Sequence, residues 1–378
     1  MYQVKGKIDS TNAAEFEKEI MAAKPAELDA SQLEYISSAG LRVLLKLAKA
    51  VGDVTVSNVS SEVYEIFEVT GFTEILNVKK AMRKVSVKGL EKIGEGGNGI
   101  VYRLDDDKII KVSKETGNLA DLKKELDTSK QAFLSGLPAA IVYDVVETED
   151  GYGQIYEMLS ASMMSAEVRN DPQDVKKYAD QFASLAVQLH STQYNGKELS
   201  PKKEEYKEAF SQISHYFEAE EAAEINRLID SIPDRNTFIH GDLHMGNIML
   251  QNGEPMLIDL GEAGVGHPIF DLVEVYIAYA FSPYSPYMTP ERLLATVGMN
   301  AELCAAVWEE FIVKYFECSA GELEHRIRII KGYAQLRLLL ITVLMNRSVP
   351  ESYWKQKAEN VRKNLLPRID ELINELDF

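Results

Sequence analysis

Two cysteines, Cys304 and Cys318, are all that 378 residues provide, and neither belongs to a Cys-x-x-Cys pair. A disulfide framework and a cysteine zinc site are therefore excluded as organising principles. Long apolar runs are missing too. The greasiest stretches, residues 277–281 and 338–345, fall well short of the roughly 20 residues that span a bilayer. The opening residues Met1-Tyr2-Gln3-Val4-Lys5 lack the cationic and apolar blocks of a signal peptide. A cytoplasmic protein with no membrane partner is the expectation. Positive charge is scarce as well: 41 Lys and Arg face 59 Asp and Glu, a net charge of −18. Nucleic-acid binding needs a basic face, so that partner class is set aside. Residues 1–86 hold 11 basic and 12 acidic side chains, so almost all the excess acid lies beyond them. Its field would favour a cationic substrate.

What the chain does have is order of two textures. Up to about residue 84, short strands alternate with short helices. Residues 2–8, 27–33, 54–56 and 75–78 read as strands. Asn12 to Glu15 reads as a capping box, and Leu41, Leu44, Leu45 and Ala48 form a helical stripe ending near Gly52. Alternation of this kind implies a mixed or parallel sheet covered by helices. The basic stretch 79–84 reads as a linker. From residue 85 the pattern becomes a β-hairpin (90–93 and 100–104), a strand at 108–112, a helix at 119–134, and strands at 139–146 and 154–158. Mostly helical sequence follows, with strands at 248–250 and 255–259. That predicts domains at 1–84 and 85–378, the second with an N-lobe at 85–158 and a C-lobe at 159–378.

Chemistry concentrates in three places. Gly94-Glu-Gly96-Gly-Asn-Gly99 turns between two strands, where Gly94, Gly96 and Gly99 let a backbone close over phosphates. A plain glycine-rich hairpin turn is the alternative, whereas a Rossmann fingerprint would run into a helix. Lys111 interrupts an apolar strand just after this turn, a costly place for an ammonium unless it is paired. Its expected partners are nucleotide phosphates and Glu125 on the following helix, with Asp121 or Glu115 able to take that role. The third place is His240-Gly-Asp242-Leu-His244-Met-Gly-Asn247, followed by Ile258-Asp259-Leu-Gly. Two carboxylates and an amide beside apolar strands suit phosphoryl transfer. Asp242 would take the acceptor proton, and Asn247 and Asp259 would hold Mg²⁺ as hard oxygen ligands. His240 and His244 lack a third ligand at zinc spacing and read as hydrogen-bonding rings.

These residues resemble the aminoglycoside phosphotransferase and choline kinase-like superfamily from Gly89 onward. The resemblance implies a bilobal protein-kinase-like fold, ATP and Mg²⁺, with the base at Asp242, metal ligands at Asn247 and Asp259, and the nucleotide lysine at Lys111. It places the interlobe hinge at Tyr156-Glu157-Met158-Leu159, with backbone groups of Glu157 and Leu159 facing adenine; an ordinary buried strand is the alternative there. Gly241 stands where protein kinases carry an arginine, and Asp259 is followed closely by Gly266-His-Pro-Ile-Phe-Asp271. A small-molecule acceptor is therefore expected rather than a peptide, with Asp271 tying the next helix to the catalytic loop. The acceptor would lie within 281–378.

The N-terminal segment resembles the STAS domain of anti-sigma factor antagonists, through Gly6-Lys-Ile-Asp9, Leu28-Asp-Ala-Ser31 and Tyr35-Ile-Ser-Ser38-Ala-Gly-Leu41. The resemblance makes Ser38 a possible phosphosite and the domain a possible protein-binding switch. Ser37 stands where that family often has aspartate, and a plain capping role is the alternative for Ser38. The combined expectation is an α/β STAS-like unit joined to an α+β kinase-like unit. It would transfer the γ-phosphoryl group of ATP to a hydroxyl of an amino sugar, aminoglycoside or amino alcohol. A regulatory interaction protein that senses nucleotide or phosphorylates a protein serine is the second reading.

Overall fold

The computed structural model describes residues 1–95, 99–113, 119–345 and 347–378. The chain forms two compact units: Met1–Ser86 with Val145–Glu149, and Val87–Asp144 with Asp150–Phe378.

In the first unit, strands β1 (Tyr2–Ile8), β2 (Glu27–Ile36), β3 (Thr55–Val59) and β4 (Asn77–Lys80) make a parallel sheet in the order β1-β2-β3-β4. Helices α1 (Ala13–Ala23), α2 (Ser38–Val51) and α3 (Ser61–Val69) connect them. Of the predicted stripe, Leu41 and Leu44 lie on the buried face of α2, which Val43 and Leu47 complete, while Leu45 and Ala48 are only partly buried. Gly40 lets that helix sit close to the sheet, since a Cβ there would lie 2.7 Å from both Ile36 Cγ1 and Ile8 Cγ2.

Three expectations change here. The Asn12 side chain does not cap α1. It ties a turn instead, donating to the Lys7 carbonyl and accepting from the Asp9 N–H. Ser37, not Ser38, caps α2 by accepting the Ala39 N–H, and Ser38 is the exposed first helical residue. The basic stretch is not a free linker: Lys79 and Lys80 end β4, and Arg83–Lys84 forms β5, with Arg83 opposite Val146. Lysines suit β4 because it is an edge strand, where charge discourages further pairing.

The second unit begins with β6 (Lys92–Glu95), β7 (Gly99–Arg103) and β8 (Lys108–Ser113). Helix α4 (Leu119–Leu134) and strands β9 (Val142–Thr148) and β10 (Gly151–Glu157) follow, and the sheet runs β9-β10-β8-β7-β6. Next come β11 (Ala161–Met163), α5 (Met164–Asn170), α6 (Val175–Ser191), α7 (Lys202–Ile213) and α8 (Ala219–Ser231). Two small sheets follow: β12 (Thr237–Ile239) pairs with β15 (Gly264–Gly266), and β13 (Ile248–Gln251) lies between β11 and β14 (Glu254–Leu257). Asn252 and Gly253, both at positive φ, make the β13–β14 turn. Helices α9 (Ile269–Tyr276), α10 (Pro290–Val297), α11 (Ala301–Phe316), α12 (Ala320–Leu344), α13 (Glu351–Asn364) and α14 (Ile369–Glu375) complete the unit. Its core centres on α6, whose Phe182 ring lies 4.6 Å from that of Phe311. Among the described residues no helix is long and apolar enough to cross a membrane.

His267, fully buried at the start of α9, accepts the Ile269 N–H at 3.1 Å. Burial pushes its pKa down from 6.5 to about 3, helped by the charge of Arg235. The folded ring stays neutral while the unfolded one takes a proton below about pH 6.5, so stability falls as pH drops towards 3. The contribution reaches about 1.4 kcal/mol per pH unit. Urea unfolding at pH 5 to 7, followed by the two tryptophans of this unit, Trp308 and Trp354, should show that slope reduced in His267→Asn. Equal slopes would refute the assignment.

Candidate active site

Strand β12 ends in Ile239, and the chain then turns sharply through His240, Gly241 and Asp242. One buried carboxylate sets that turn. Asp271 in α9 accepts the His240 N–H and the Gly241 N–H, each at 2.7 Å, and lies 3.0 Å from His190 Nε2. Burial alone would raise its pKa; the His190 hydrogen bond and the backbone bonds win and hold it below the ordinary value. Asp271 thus ties helix to loop, as expected. Gly241 sits at φ +81°, and a Cβ there would collide with the Glu262 carbonyl. This is why no arginine occupies the position. The loop's far end is fixed by the Tyr279 hydroxyl, which accepts the Met245 N–H at 2.7 Å from a π-helical turn that extends α9.

Asn247 donates through Nδ2 to the Asp242 carbonyl (2.9 Å) and to Asp242 Oδ2 (3.1 Å), which turns its Oδ1 away. The backbone of Ile258 donates to the Asn247 carbonyl at 3.0 Å, bringing Asp259 alongside. Asp259 adopts a left-handed backbone, φ 60° and ψ 59°, a strained state for a non-glycine residue. Its carboxylate lies 3.3 Å from Lys111 Nζ. His244 accepts the Gly246 N–H through Nδ1, so Nε2 carries its proton and faces Asp242 Oδ2 at 3.7 Å. Desolvation would raise the Asp242 carboxyl. The His244 ring, His240 and Asn247 outweigh it and hold the group well below the usual carboxylate range.

Lys111 is not paired as expected. Its ion pair is with Asp259, while Glu125, buried on α4, accepts the Tyr156 hydroxyl at 2.5 Å. Glu125 still acts on it through space: burial lowers the lysine's pKa, and Asp259 with Glu125 raise it further than burial lowers it. Burial in turn raises Glu125. At Glu157 the N–H donates to the Ile141 carbonyl and the carboxylate accepts the Ile141 N–H, so of its backbone groups only the carbonyl could face a nucleotide. Among the described residues the backbone of Leu159 has no such partner. Of the glycines, Gly94 lies in β6 and Gly99 in β7, and Gly96 lies outside the described residues.

Residues 89–296 match the family model described as the phosphotransferase enzyme family, over half of the chain. The chain belongs to that family. It is a phosphotransferase of the kinase kind, and its residues 1–85 match the STAS domain model. A putative anti-sigma factor antagonist, BtrV, of Bordetella bronchiseptica is 37% identical over 84 residues, 20% of this chain and 72% of that one. Similar solved structures include the aminoglycoside phosphotransferase APH(2'')-Ib with ADP (16% identical, 81% of this chain and 98% of that one, TM-score 0.47). Others are the streptomycin–ATP complex of APH(2")-IIa (14%, 82% and 97%, 0.48) and a choline/ethanolamine kinase family protein of Mesorhizobium loti (16%, 76% and 88%, 0.41).

Sequence reading missed several residues of this phosphotransferase. Glu274 is an acid inside the apolar helix α9, and Arg337 sits in the apolar run Leu336-Arg-Leu-Leu-Leu340 of α12. The argument that singled out Lys111 applies equally to them. They form a buried ion pair. Burial pushes the Glu274 carboxyl up to about 7 against the pull of Arg337. Lys202, also buried, donates to the Glu262 carbonyl at 2.7 Å and holds the segment after Asp259.

The glycines separate cleanly by what a Cβ would meet. At Gly99 it would lie 2.6 Å from the Val112 carbonyl; at Gly94 the nearest atom is 3.7 Å away, in Val101. Gly94→Ala should keep the wild-type melting temperature. Gly99→Ala and Gly241→Ala should each lower it, Gly241→Ala by the equivalent of about 1–3 kcal/mol from backbone strain alone. Thermal melts of the three variants check this, and an unchanged melt for Gly241→Ala would contradict the geometry.

Proposed function

We propose that the chain transfers the γ-phosphoryl group of ATP to a hydroxyl of a small molecule, with Asp242 as the base. The observation that carries this reading is one hydrogen-bonded unit: Asn247 joins Asp242, Ile258 brings Asp259 beside Asn247, and Asp259 carries Lys111. The donor set suits Mg²⁺: the Asn247 Oδ1 and the Asp259 carboxylate are hard oxygens. Two protein ligands would leave the remaining positions of the ion to phosphate and water oxygens. When bound, Mg²⁺ neutralises phosphate charge. Lys111, kept protonated, donates to the phosphates. Asp242 stays ionised at neutral pH and orients the acceptor hydroxyl. The acceptor oxygen bonds to the γ-phosphorus as the bond to the β–γ bridging oxygen breaks. The electron pair leaves with ADP, and the hydroxyl proton passes to the Asp242 carboxylate. The excess acid beyond residue 86 supports an acceptor bearing an amine, such as an amino sugar, aminoglycoside or amino alcohol. Asp242→Asn should cut turnover by about 10²- to 10⁴-fold with nucleotide affinity retained, and Asp259→Ala should weaken Mg-nucleotide binding. Near-normal turnover in Asp242→Asn would overturn the mechanism.

The STAS match supports a protein partner for the N-terminal unit, with Ser38 as its modification site. Ser38 is exposed at the first position of α2, where a phosphate meets free N–H groups and the positive helix end. The second unit is a poor donor of that phosphate. After Asp259 its chain makes one 3₁₀ turn, the buried strand β15 and then α9, leaving no exposed segment to hold a peptide. Intact-mass and peptide spectrometry after incubation with Mg-ATP should find Ser38 unmodified. Stoichiometric phosphate there, lost in Asp242→Asn, would favour a protein kinase instead.

A further inference from the structure

Lys202 opens α7, where an ammonium meets the positive end of the helix, and it is buried there, so desolvation adds to the repulsion. Neither the helix nor the core gains from a lysine in that place. The packing is nevertheless shaped around it. Gly264 in β15 makes room for its stem, since a Cβ there would lie 2.8 Å from Lys202 Cδ. Its Nζ donates to Glu205 Oε2 at 2.5 Å and to the Glu262 carbonyl at 2.7 Å. Glu205 balances the charge one turn along α7, and its other oxygen lies 3.6 Å from Lys124 Nζ on α4. Of the other charges bordering the same cleft, Glu274 and Arg337 are paired with each other, and Glu262 is exposed. With its charge met by Glu205, Lys202 spends its remaining bond on one backbone oxygen.

That oxygen occupies a junction. Glu262 ends the 3₁₀ turn Leu260–Glu262, which starts from Asp259. The left-handed backbone of Asp259 is a strained state, and such states persist only where the surroundings over-determine them. On the near side the Ile258 N–H is held by the Asn247 carbonyl; on the far side Lys202 holds the carbonyl of Glu262. The same carbonyl packs against Gly241, leaving no space for a Cβ there, and Gly241 directly precedes Asp242. One ammonium therefore restrains the group that touches both halves of the site. Helix α4 meets the turn as well, since a Cβ on Gly261 would lie 3.7 Å from Glu125 Oε2.

We propose that Lys202 is a positioning residue for phosphoryl transfer: by fixing the Glu262 carbonyl it keeps the Asp259 carboxylate aligned with Asn247 for Mg²⁺, with Glu205 as its counter-charge. The assignment rests on the phosphoryl-transfer reading above and adds to it a residue that acts through the backbone of others.

The test titrates Mg²⁺ into the full chain in the presence of N-methylanthraniloyl-ADP, followed by the fluorescence of that nucleotide. Wild-type protein should bind it more tightly as Mg²⁺ rises. Lys202→Met keeps the length of the stem, removes the ammonium and leaves Glu205 its Lys124 partner. It should bind the nucleotide as wild type does in EDTA, yet need about tenfold more Mg²⁺ for half of the gain, because groups that orient metal ligands are worth about 10- to 100-fold in metal affinity. A lysine that served only the fold would lower the melting temperature and leave that Mg²⁺ midpoint where it was, and this result would sink the assignment. Glu205→Gln, at a partly exposed position, should move the midpoint in the same direction by less. It carries the test if Lys202→Met does not fold, and an unmoved midpoint in it then refutes the assignment. A wild-type affinity indifferent to Mg²⁺ would remove the phosphoryl-transfer reading and the role of Lys202 together.

Discussion

The catalytic loop depends on the buried carboxylate of Asp271. Two adjacent N–H groups of a turn cannot both be satisfied by β12, which ends at Ile239, and α9 supplies the acceptor for both. His190 from α6 closes the set, and its other ring nitrogen meets the Tyr315 hydroxyl of α11 at 2.8 Å. Strand, loop and three helices are thereby referred to one charge. Hydrogen bonds to an ionised, buried acceptor are among the stronger ones available, so the loop geometry is fixed before any substrate arrives. Asp242 can then be held half exposed without being mobile, because the constraint lies on the two residues before it.

Charge placed inside apolar elements marks the rest of the site. Lys111 in β8, Glu274 in α9 and Arg337 in α12 each interrupt a run of aliphatic residues, and each has an opposite charge as its partner. Such pairs add little to stability compared with aliphatic packing, since desolvation offsets the attraction. The placement of Lys111 beside Asp259 is therefore better explained by what it would bind than by what it stabilises. The strained backbone of Asp259 belongs with it, as does the absence of a Cβ at Gly241.

Much of this was legible in advance. Helix α4 was read with its observed bounds, Leu119–Leu134, and the strands flanking the glycine-rich turn within a few residues. Both follow from local periodicity. Asp242, Asn247 and Asp259 were singled out because two carboxylates and an amide beside apolar strands make little sense as core, and the fold brings the three together. Partner choice was less legible. Glu125 was matched to Lys111 by order along the chain, yet it turns to Tyr156, whose hydroxyl is brought beside it by β10. The difference concerns which of several nearby groups forms the bond.

The sequence by itself determined the order of the elements, the two textures of the chain and the residue types at the phosphoryl-transfer site, because periodicity and the cost of buried charge act locally. It also showed a glycine at position 241, though not the reason for it. Only the tertiary structure decided that reason, along with the Lys111–Asp259 pair, the capping role of Ser37 and the meeting of Glu274 with Arg337, 63 residues apart. Such contacts are set by how helices and sheets pack, and packing brings together side chains whose separation along the chain carries no signal of their distance in space.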